Sequence, residues 1–252
     1  MEHAIAVDGV SLKFRLYHDK GGTLKQSFAS LLRRDTKRIY TDFWALKDIN
    51  LRIVDGERVG IIGANGAGKS SLLKTICRIY APETGEVRIQ GSIAPLLEVG
   101  AGFHPELTGR ENILLNGVIL GQTPRRMAEL EPAIIAFSGL EDFIDTPVKY
   151  YSTGMYLKLA FTVATSVRAD ILVLDELFAG GDAAFVERGM ERLCKLIGEA
   201  RIIVCVSHQL QFLESICSRV LLLEHGRVSA DGTPREIIAL YQERSRAAAA
   251  AR

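Results

Sequence analysis

The stretch RVGIIGANGAGKSSLLKTICRIY, residues 58–80, decides the fold of this chain. It begins as an apolar strand pattern at 58–62, passes into a glycine-rich turn and ends in a helical pattern. The turn fits the phosphate-binding pattern GxxxxGK[ST], in the strand-to-helix context that the pattern requires. Backbone N–H groups of such a loop surround phosphates, its lysine reaches the β- and γ-phosphates, and its hydroxyl binds Mg²⁺. The predicted phosphate-binding residues are Gly63, Asn65, Gly66, Ala67, Gly68, Lys69, Ser70 and Ser71, with Ser70 also a metal ligand.

An acidic pair follows a second apolar strand pattern, ILVLD at 171–175. The strand brings Asp175 to its carboxyl end, where the carboxylate can hold Mg²⁺ through water. Glu176 comes next, and an acid beside the metal-binding Asp can polarise a water that attacks the γ-phosphate. We therefore predict Glu176 as the catalytic base. The alternatives, a structural glycine-rich turn and an acidic helix cap, each become less favoured once the two motifs occur together.

Length and composition limit the classes of protein that fit. The 252 residues suffice for one sizeable α/β domain, and 31 basic against 30 acidic side chains leave a net charge of +1. This balance argues against a protein held mainly by bulk attraction to nucleic acid or anionic lipid. The four cysteines form no CxxC pair, which is typical of reduced thiols in a cytosolic protein. We expect no signal peptide and no membrane span.

The remaining pattern predicts a doubly wound α/β domain. Several further segments are apolar almost throughout, as parallel strands covered on both faces are. Residues 108–169 are helical in pattern and form a predicted helical subdomain. Residues 244–252 are of low complexity and are predicted to be a flexible tail. The other predicted strands lie at 4–8, 48–54, 87–90, 201–208 and 219–226.

A basic insert at about 15–42 interrupts the first predicted strands. Between positions 11 and 40, eight Lys and Arg residues stand against two Asp residues. The apolar residues Leu24, Phe28, Leu31 and Leu32 follow helical spacing, and Thr23 is placed to cap the helix start. The segment is therefore a surface helix on its own domain or a contact with a membrane surface or membrane partner.

Taken in order, these motifs resemble the nucleotide-binding subunit of ATP-binding cassette (ABC) transporters. That family carries a signature motif, LSGGQ in its common form, shortly ahead of the metal-binding Asp, and YSTGM stands there at 151–155. The variant keeps the serine and the second glycine, and it replaces the first glycine by Thr153. The resemblance implies that Ser152 and Gly154 contact the γ-phosphate of an ATP bound by the opposite subunit, with the helix N-terminus aimed at the phosphate.

The same resemblance assigns the D-loop and the switch histidine. Asp182 takes the place of the D-loop aspartate, although Leu177 stands where the family has proline. His208, at the end of RIIVCVSH, matches the switch histidine that contacts the γ-phosphate and holds Glu176 and water in place.

The residues that would contact adenine and form the Q-loop each leave an alternative open. Phe14 matches the aromatic residue that stacks on adenine, and Tyr17 is the alternative. The expected Q-loop glutamine is missing, and Glu98 is the nearest polar residue. Glu98 is predicted either to reach Mg²⁺ or the water, or to have a structural role.

Four segments narrow the resemblance to ABC exporters of bacterial O-antigen, capsule or teichoic-acid polymers. They are YSTGM, LLEVGAGFHPELTGREN, LDELFAGGD, and FWALKDIN behind its basic insert. The implied fold is an α/β, P-loop NTPase domain of the ABC type over residues 1–243. It has a mostly parallel core sheet, an antiparallel β subdomain and a helical subdomain. A further C-terminal sugar-binding module, which some members carry, is not expected here.

The implied function is ATP hydrolysis by a homodimer, with ATP and Mg²⁺ as cofactors. The dimer is expected at the cytoplasmic face of the inner membrane, where its partner is a polytopic permease. No nucleic-acid partner is expected. It would power export of a lipid-linked polysaccharide through that permease. Alternatives are another ABC exporter, of lipid or drug, and a soluble ABC ATPase of translation or DNA repair. Soluble ABC ATPases usually carry two cassettes in one chain or a long coiled-coil insertion, and the sequence shows neither pattern. A P-loop GTPase is disfavoured because no NKxD motif occurs.

Overall fold

A computed structural model describes residues 3–17, 40–97, 99–175 and 182–250 of the chain. Nine strands lie within these ranges: β1 (His3–Tyr17), β2 (Tyr40–Val54), β3 (Arg58–Ile62), β4 (Thr84–Ile89), β5 (Ile93–Leu96), β6 (Ile171–Asp175), β7 (Ile202–Val206), β8 (Arg219–Glu224) and β9 (Arg227–Gly232). The α-helices described there are α1 (Lys69–Ile76), α2 (Gly109–Ile119), α3 (Pro124–Ser138), α4 (Thr153–Ala164), α5 (Ala183–Glu199), α6 (Leu210–Ile216) and α7 (Pro234–Ala250).

The strands form two sheets. The core sheet has the order β5-β6-β7-β3-β8-β9, and every neighbouring pair is parallel except β8 and β9. A smaller antiparallel sheet has the order β2-β1-β4. The fold is thus the predicted one, a mostly parallel core sheet with an antiparallel β subdomain.

Apolar side chains on both faces of the core sheet explain its position in the centre of the domain. In β6, Val173 points into a cluster shared with α1 and the antiparallel sheet, while Leu172 and Leu174 join a cluster with α5, α6 and α7. Strands buried on both faces need almost continuous apolar sequence, as ILVL here provides.

The helical subdomain has its own apolar cluster within α2, α3, α4 and the turns between them. A capping box fixes the start of α2, because the Thr108 side chain accepts from the Glu111 N–H and the Glu111 carboxylate accepts from the Thr108 N–H. Buried members of the cluster include Ile113, Ile134 and Leu159. The described residues between 108 and 169 contain no named strand, in agreement with the helical pattern.

The structure departs from the predicted strand boundaries in several places. β1 and β2 are each 15 residues long, because their ladder continues from Leu12 to Tyr17 beyond the part covered by β4. β5 was not predicted, and it contains Pro95, which an edge strand tolerates. β9 was also missed, since its sequence RVSADG is polar and only alternate residues are partly buried.

The last helix continues to Ala250 and so includes most of residues 244–252, for which the sequence predicts a flexible tail; the division at residue 243 stays a prediction. Residues 18–39, which hold most of the basic insert and its predicted helix, lie outside the described residues. No described helix is both long and apolar enough to cross a bilayer.

Candidate nucleotide-binding site

The glycine-rich loop is held against neighbouring backbone so closely that two of its positions accept only glycine. A Cβ atom on Gly63 would lie 2.2 Å from the carbonyl oxygen of Leu223. A Cβ atom on Gly68 would lie 2.6 Å from the carbonyl oxygen of Ala45, and Gly68 has a φ of +106°. Both distances are shorter than a backbone atom allows, so a side chain at either position would open the loop.

Lys69 occupies the centre of this loop. Its Nζ donates hydrogen bonds to the carbonyl oxygens of Gly63 at 2.8 Å and Ala64 at 3.1 Å. The residue is only 9% exposed, so its ammonium group is held inside the loop rather than extended into solvent. An ammonium group fixed by loop carbonyls at the start of α1 is suited to bind the outer phosphates of a nucleotide.

A cavity of about 370 Å³ brings together most of the residues predicted for the phosphate site. It is lined by Phe43, Ala45, Asn65, Gly66, Gly68, Lys69, Ser70, Ser71, Asp175, Val206 and His208. The order β6-β7-β3 explains the assembly, because parallel strands present their carboxyl ends at one edge of the sheet. The loop follows β3, Asp175 ends β6, and His208 stands two residues after β7.

The donor set in this cavity fits Mg²⁺. A serine hydroxyl and a carboxylate are hard oxygen ligands, and Mg²⁺ is usually held by one or two protein oxygens together with phosphate oxygens and water. Ser70 and Asp175 offer these oxygens in the same cavity.

The aromatic residue in the cavity is Phe43 and not Phe14. Phe43 is 47% exposed and lines the cavity beside the loop. Phe14 is its cross-strand neighbour, but its ring packs edge-to-face on Tyr80, with centroids 5.4 Å apart, and it does not line the cavity. The side chain of Tyr17, the alternative, lies outside the described part. Phe43, which was not singled out from the sequence, lies in β2 two residues before Ala45, whose carbonyl oxygen approaches Gly68.

The predicted signature residues stand apart from the cavity of their own chain. Ser152 is the N-cap of α4, and its Oγ accepts from the Met155 N–H at 3.2 Å. A Cβ atom on Gly154 would have only the Ser152 Oγ within 4 Å, at 3.9 Å, so the surface here is open. Among the described residues that line the cavity, neither Ser152 nor Gly154 is included. Among the described residues, the N-terminus of α4 with its open glycine therefore stands apart from the phosphate-binding loop of the same chain.

Asp182 connects the signature helix to the next helix. It caps α5 by accepting from the Phe185 N–H at 2.9 Å, and it forms an ion pair with Lys158 of α4. The hydrogen bond from Lys158 lowers the pKa of Asp182 below its ordinary value, and the hydrogen bond from the Phe185 N–H contributes a smaller part of this shift. Asp182 thus bridges two helices and, like the signature residues, does not line the cavity.

Two predicted residues cannot be placed in this site. Glu176, the predicted base, directly follows the last residue of β6, but it lies outside the described residues, as does Glu98. Their assignments stay predictions.

A larger cavity, of about 830 Å³, lies elsewhere, between α3, the end of α4 and α5. Its lining is rich in basic side chains, including Arg188, Arg192 and Lys195, and it contains none of the predicted site residues. The candidate site is therefore distinguished not by its size but by the loop, carboxylate and histidine that line it.

The chain is similar in sequence to ATP-binding proteins of export systems. Residues 46–179 match the family described as ABC transporter. The O-antigen export system ATP-binding protein RfbB of Myxococcus xanthus is 48% identical over 199 residues, which are 79% of this chain and 46% of that protein. RfbB of Klebsiella pneumoniae is 38% identical over 243 residues, which are 96% of this chain and 99% of that protein.

A solved structure shows the same fold. A dimeric ATP-binding cassette, solved in a post-hydrolysis state bound to ADP and Pi, superposes with a TM-score of 0.66. The match covers 91% of this chain and 98% of the solved one, at 20% sequence identity. At that identity the similarity concerns the fold.

Proposed function

Since the chain belongs to the ABC transporter family, we propose that it is the ATP-hydrolysing subunit of an exporter of lipid-linked polysaccharide. The observation that carries the ATPase part is the single cavity lined by the loop, Asp175 and His208. The substrate class is supported by the names of the relatives, which are ATP-binding proteins of O-antigen export systems. The protein would act as a peripheral subunit at the cytoplasmic face of the inner membrane.

In this proposal, each ATP is enclosed by two copies of the chain. One copy supplies Lys69 and Ser70, and the other supplies Ser152 and Gly154. The support is that the two groups occupy different places on one fold, while the open N-terminus of α4 is suited to receive a phosphate. Asp182 would enter the dimer contact beside it.

Hydrolysis in that enclosed site follows from the chemistry of the side chains. Mg²⁺, when bound through Ser70 and Asp175, supplies charge neutralisation for the phosphates. Lys69 would stabilise charge on the outer phosphates, and Phe43 would stack on the adenine. Glu176 would accept the proton of the attacking water, and His208 would hold that water and the γ-phosphate in place.

An apolar groove is the proposed contact with the membrane subunit. It has a volume of about 550 Å³ and lies between the end of α1, β5 and the end of α2. Its residues Ile79 and Ile119 are 55% and 59% exposed, and exposed apolar side chains that together line a groove are typical of an interaction site. An export system needs a membrane-spanning path, so the proposed occupant is the cytoplasmic end of a helix of the permease.

Glu176→Gln tests the ATPase part. The variant should bind Mg-ATP without hydrolysing it and should elute as a dimer in size-exclusion chromatography, while the nucleotide-free chain elutes as a monomer. A variant that stays monomeric in Mg-ATP, under conditions in which the wild type dimerises, would count against Glu176 as the base.

Ile119→Glu tests the membrane contact. It should abolish co-purification with a polytopic membrane protein while leaving ATP-dependent dimerisation intact. Leu114→Glu is the matched control, since Leu114 is exposed on the same helix but does not line the groove. Export of surface polysaccharide should fail with Ile119→Glu and continue with Leu114→Glu. Equal loss in both variants, or in neither, would contradict this placement.

A further inference from the structure

Tyr156 joins two parts of the molecule that the proposed function uses separately. It lies in the first turn of α4, where its N–H donates to the carbonyl oxygen of Ser152 at 2.9 Å. The hydroxyl at the tip of its side chain donates to the carbonyl oxygen of Gly100 at 2.9 Å. Gly100 is a lining residue of the apolar groove. One residue thus connects the predicted signature serine, through its backbone N–H, to the wall of the groove, through its side-chain hydroxyl.

The contact at Gly100 is too close to be incidental. A Cβ atom there would lie 2.6 Å from the Tyr156 ring and 2.7 Å from its hydroxyl oxygen, and Gly100 has a φ of +88°. The ring also packs edge-to-face on Phe103, with centroids 5.3 Å apart. The position therefore accommodates the tyrosine ring only because residue 100 has no side chain.

One wall of the groove is a short turn that two helices hold in place. The Phe103 N–H donates to the same Gly100 carbonyl oxygen, at 3.1 Å, and closes the turn. The buried Asn116 of α2 donates its side-chain N–H to the carbonyl oxygen of Ala101 at 2.7 Å. Two successive carbonyl groups are thus fixed, one to α2 and the other to α4.

We propose that Tyr156 is a positioning residue that couples the turn at 100–103 to the phosphate-binding end of α4. This inference rests on the proposed function, in which Ser152 and Gly154 engage the partner's ATP. Contact of Ser152 and Gly154 with the ATP of the partner would order the first turn of α4. Through Tyr156, it would also order the turn that lines the groove. Because coupling between two sites is reciprocal, a permease helix seated in the groove would favour the same arrangement of α4.

The hydroxyl is the part of Tyr156 that provides this connection. Burial raises the pKa of Tyr156, so the hydroxyl stays protonated and able to donate. Tyr156→Phe removes only the bond to Gly100, since the ring can keep its packing on Gly100 and Phe103. Loss of one neutral hydrogen bond changes an equilibrium by roughly two- to twelve-fold.

Amide hydrogen exchange at Phe103 measures the coupling in the full chain. Wild type should exchange this amide more slowly with Mg²⁺ and a non-hydrolysable ATP analogue than without nucleotide. In Tyr156→Phe, we expect this nucleotide-dependent protection to fall roughly two- to twelve-fold. Tyr151→Phe is the matched control: it removes a hydroxyl bond of 2.8 Å to the Phe143 carbonyl oxygen, on the other side of Ser152. The control should keep the protection at Phe103.

The outcomes separate the inference from the proposed function. Dimer formation and bound nucleotide are measured in the same samples by light scattering and nucleotide extraction. A wild-type chain that neither binds the analogue nor dimerises overturns the proposed function and the inference with it. A chain that dimerises while the Phe103 amide does not respond overturns the inference alone. The inference also fails if Tyr156→Phe exchanges faster in both states but keeps the full nucleotide-dependent difference, because the hydroxyl then has only a local structural role.

Discussion

Replacing Phe43 by alanine tests which aromatic side chain holds the adenine. Phe43 lines the cavity of the phosphate loop with about half of its surface exposed, at 47%. Stacking of a base on an aromatic side chain contributes about 1–3 kcal/mol. Phe43→Ala should therefore raise the Kd for ATP about 5- to 150-fold. Phe43→Trp, which keeps an aromatic face, should retain most of the affinity.

Phe14→Ala is the matched control on the neighbouring strand. Phe14 is partly buried and packs on Tyr80 at the edge of the core. Removing a fully buried phenylalanine costs 3–5 kcal/mol, so we expect this partly buried one to lower the free energy of unfolding by about 1–3 kcal/mol. The Kd for ATP should change far less than in Phe43→Ala, because Phe14 does not line the cavity and can affect the nucleotide only through its cross-strand neighbour Phe43.

Isothermal titration calorimetry with Mg-ATP gives the Kd, and urea denaturation gives the free energy of unfolding, for wild type and all three variants. The two alanine variants should show opposite profiles, with affinity lost in Phe43→Ala and stability lost in Phe14→Ala. If Phe14→Ala weakens ATP binding and Phe43→Ala does not, the adenine contact is Phe14, as the sequence resemblance implies. The cavity would then misidentify the stacking residue.

Three further changes have defined outcomes. Gly63→Ala would place a methyl group against the Leu223 carbonyl oxygen and should lower the free energy of unfolding by about 2 kcal/mol or more, as measured by urea denaturation; an unchanged value would contradict the close approach. Lys69→Ala should weaken ATP binding by at least about 100-fold in equilibrium dialysis, and near-normal affinity would refute the phosphate-loop assignment. The pKa of Asp182 is lowered by Lys158, so this carboxylate stabilises the fold above its ordinary pKa and loses that effect as pH falls. Asp182→Asn should therefore reduce stability at about pH 7 and leave it unchanged at about pH 2; an equal reduction at both values would exclude the ion pair as the cause.

The assembly of the loop, Asp175 and His208 in one cavity could be predicted from the sequence because it depends on local patterns. Each of the three lies at or just after the carboxyl end of an apolar parallel strand, and parallel strands bring such ends to one edge of the sheet. Order of motifs alone was therefore enough to predict that these residues meet in one cavity.

The sequence carries less information where strand pairing determines the position of a side chain. Phe14 and Phe43 face each other across the β1–β2 ladder, but only the second lines the cavity, and neither hydrophobicity nor spacing distinguishes them. β5 and β9 were missed because each is an edge strand with a weak pattern, one containing Pro95 and the other polar. The contact of Tyr156 with Gly100 joins residues 56 positions apart and leaves no local signature.

The central claim is that each ATP site is built from two chains, and mixing two inactive variants tests it most directly. Lys69→Ala removes the phosphate-binding ammonium group, and Gly154→Asp places a negative charge at the open end of α4; both are made in the Glu176→Gln background, which retains bound ATP. Neither variant alone should retain ATP in a dimer after gel filtration. The mixture should retain one ATP per pair of chains, because the heterodimer combines the intact loop of one chain with the intact signature of the other. A mixture that retains no more ATP than the separate variants would contradict a shared site.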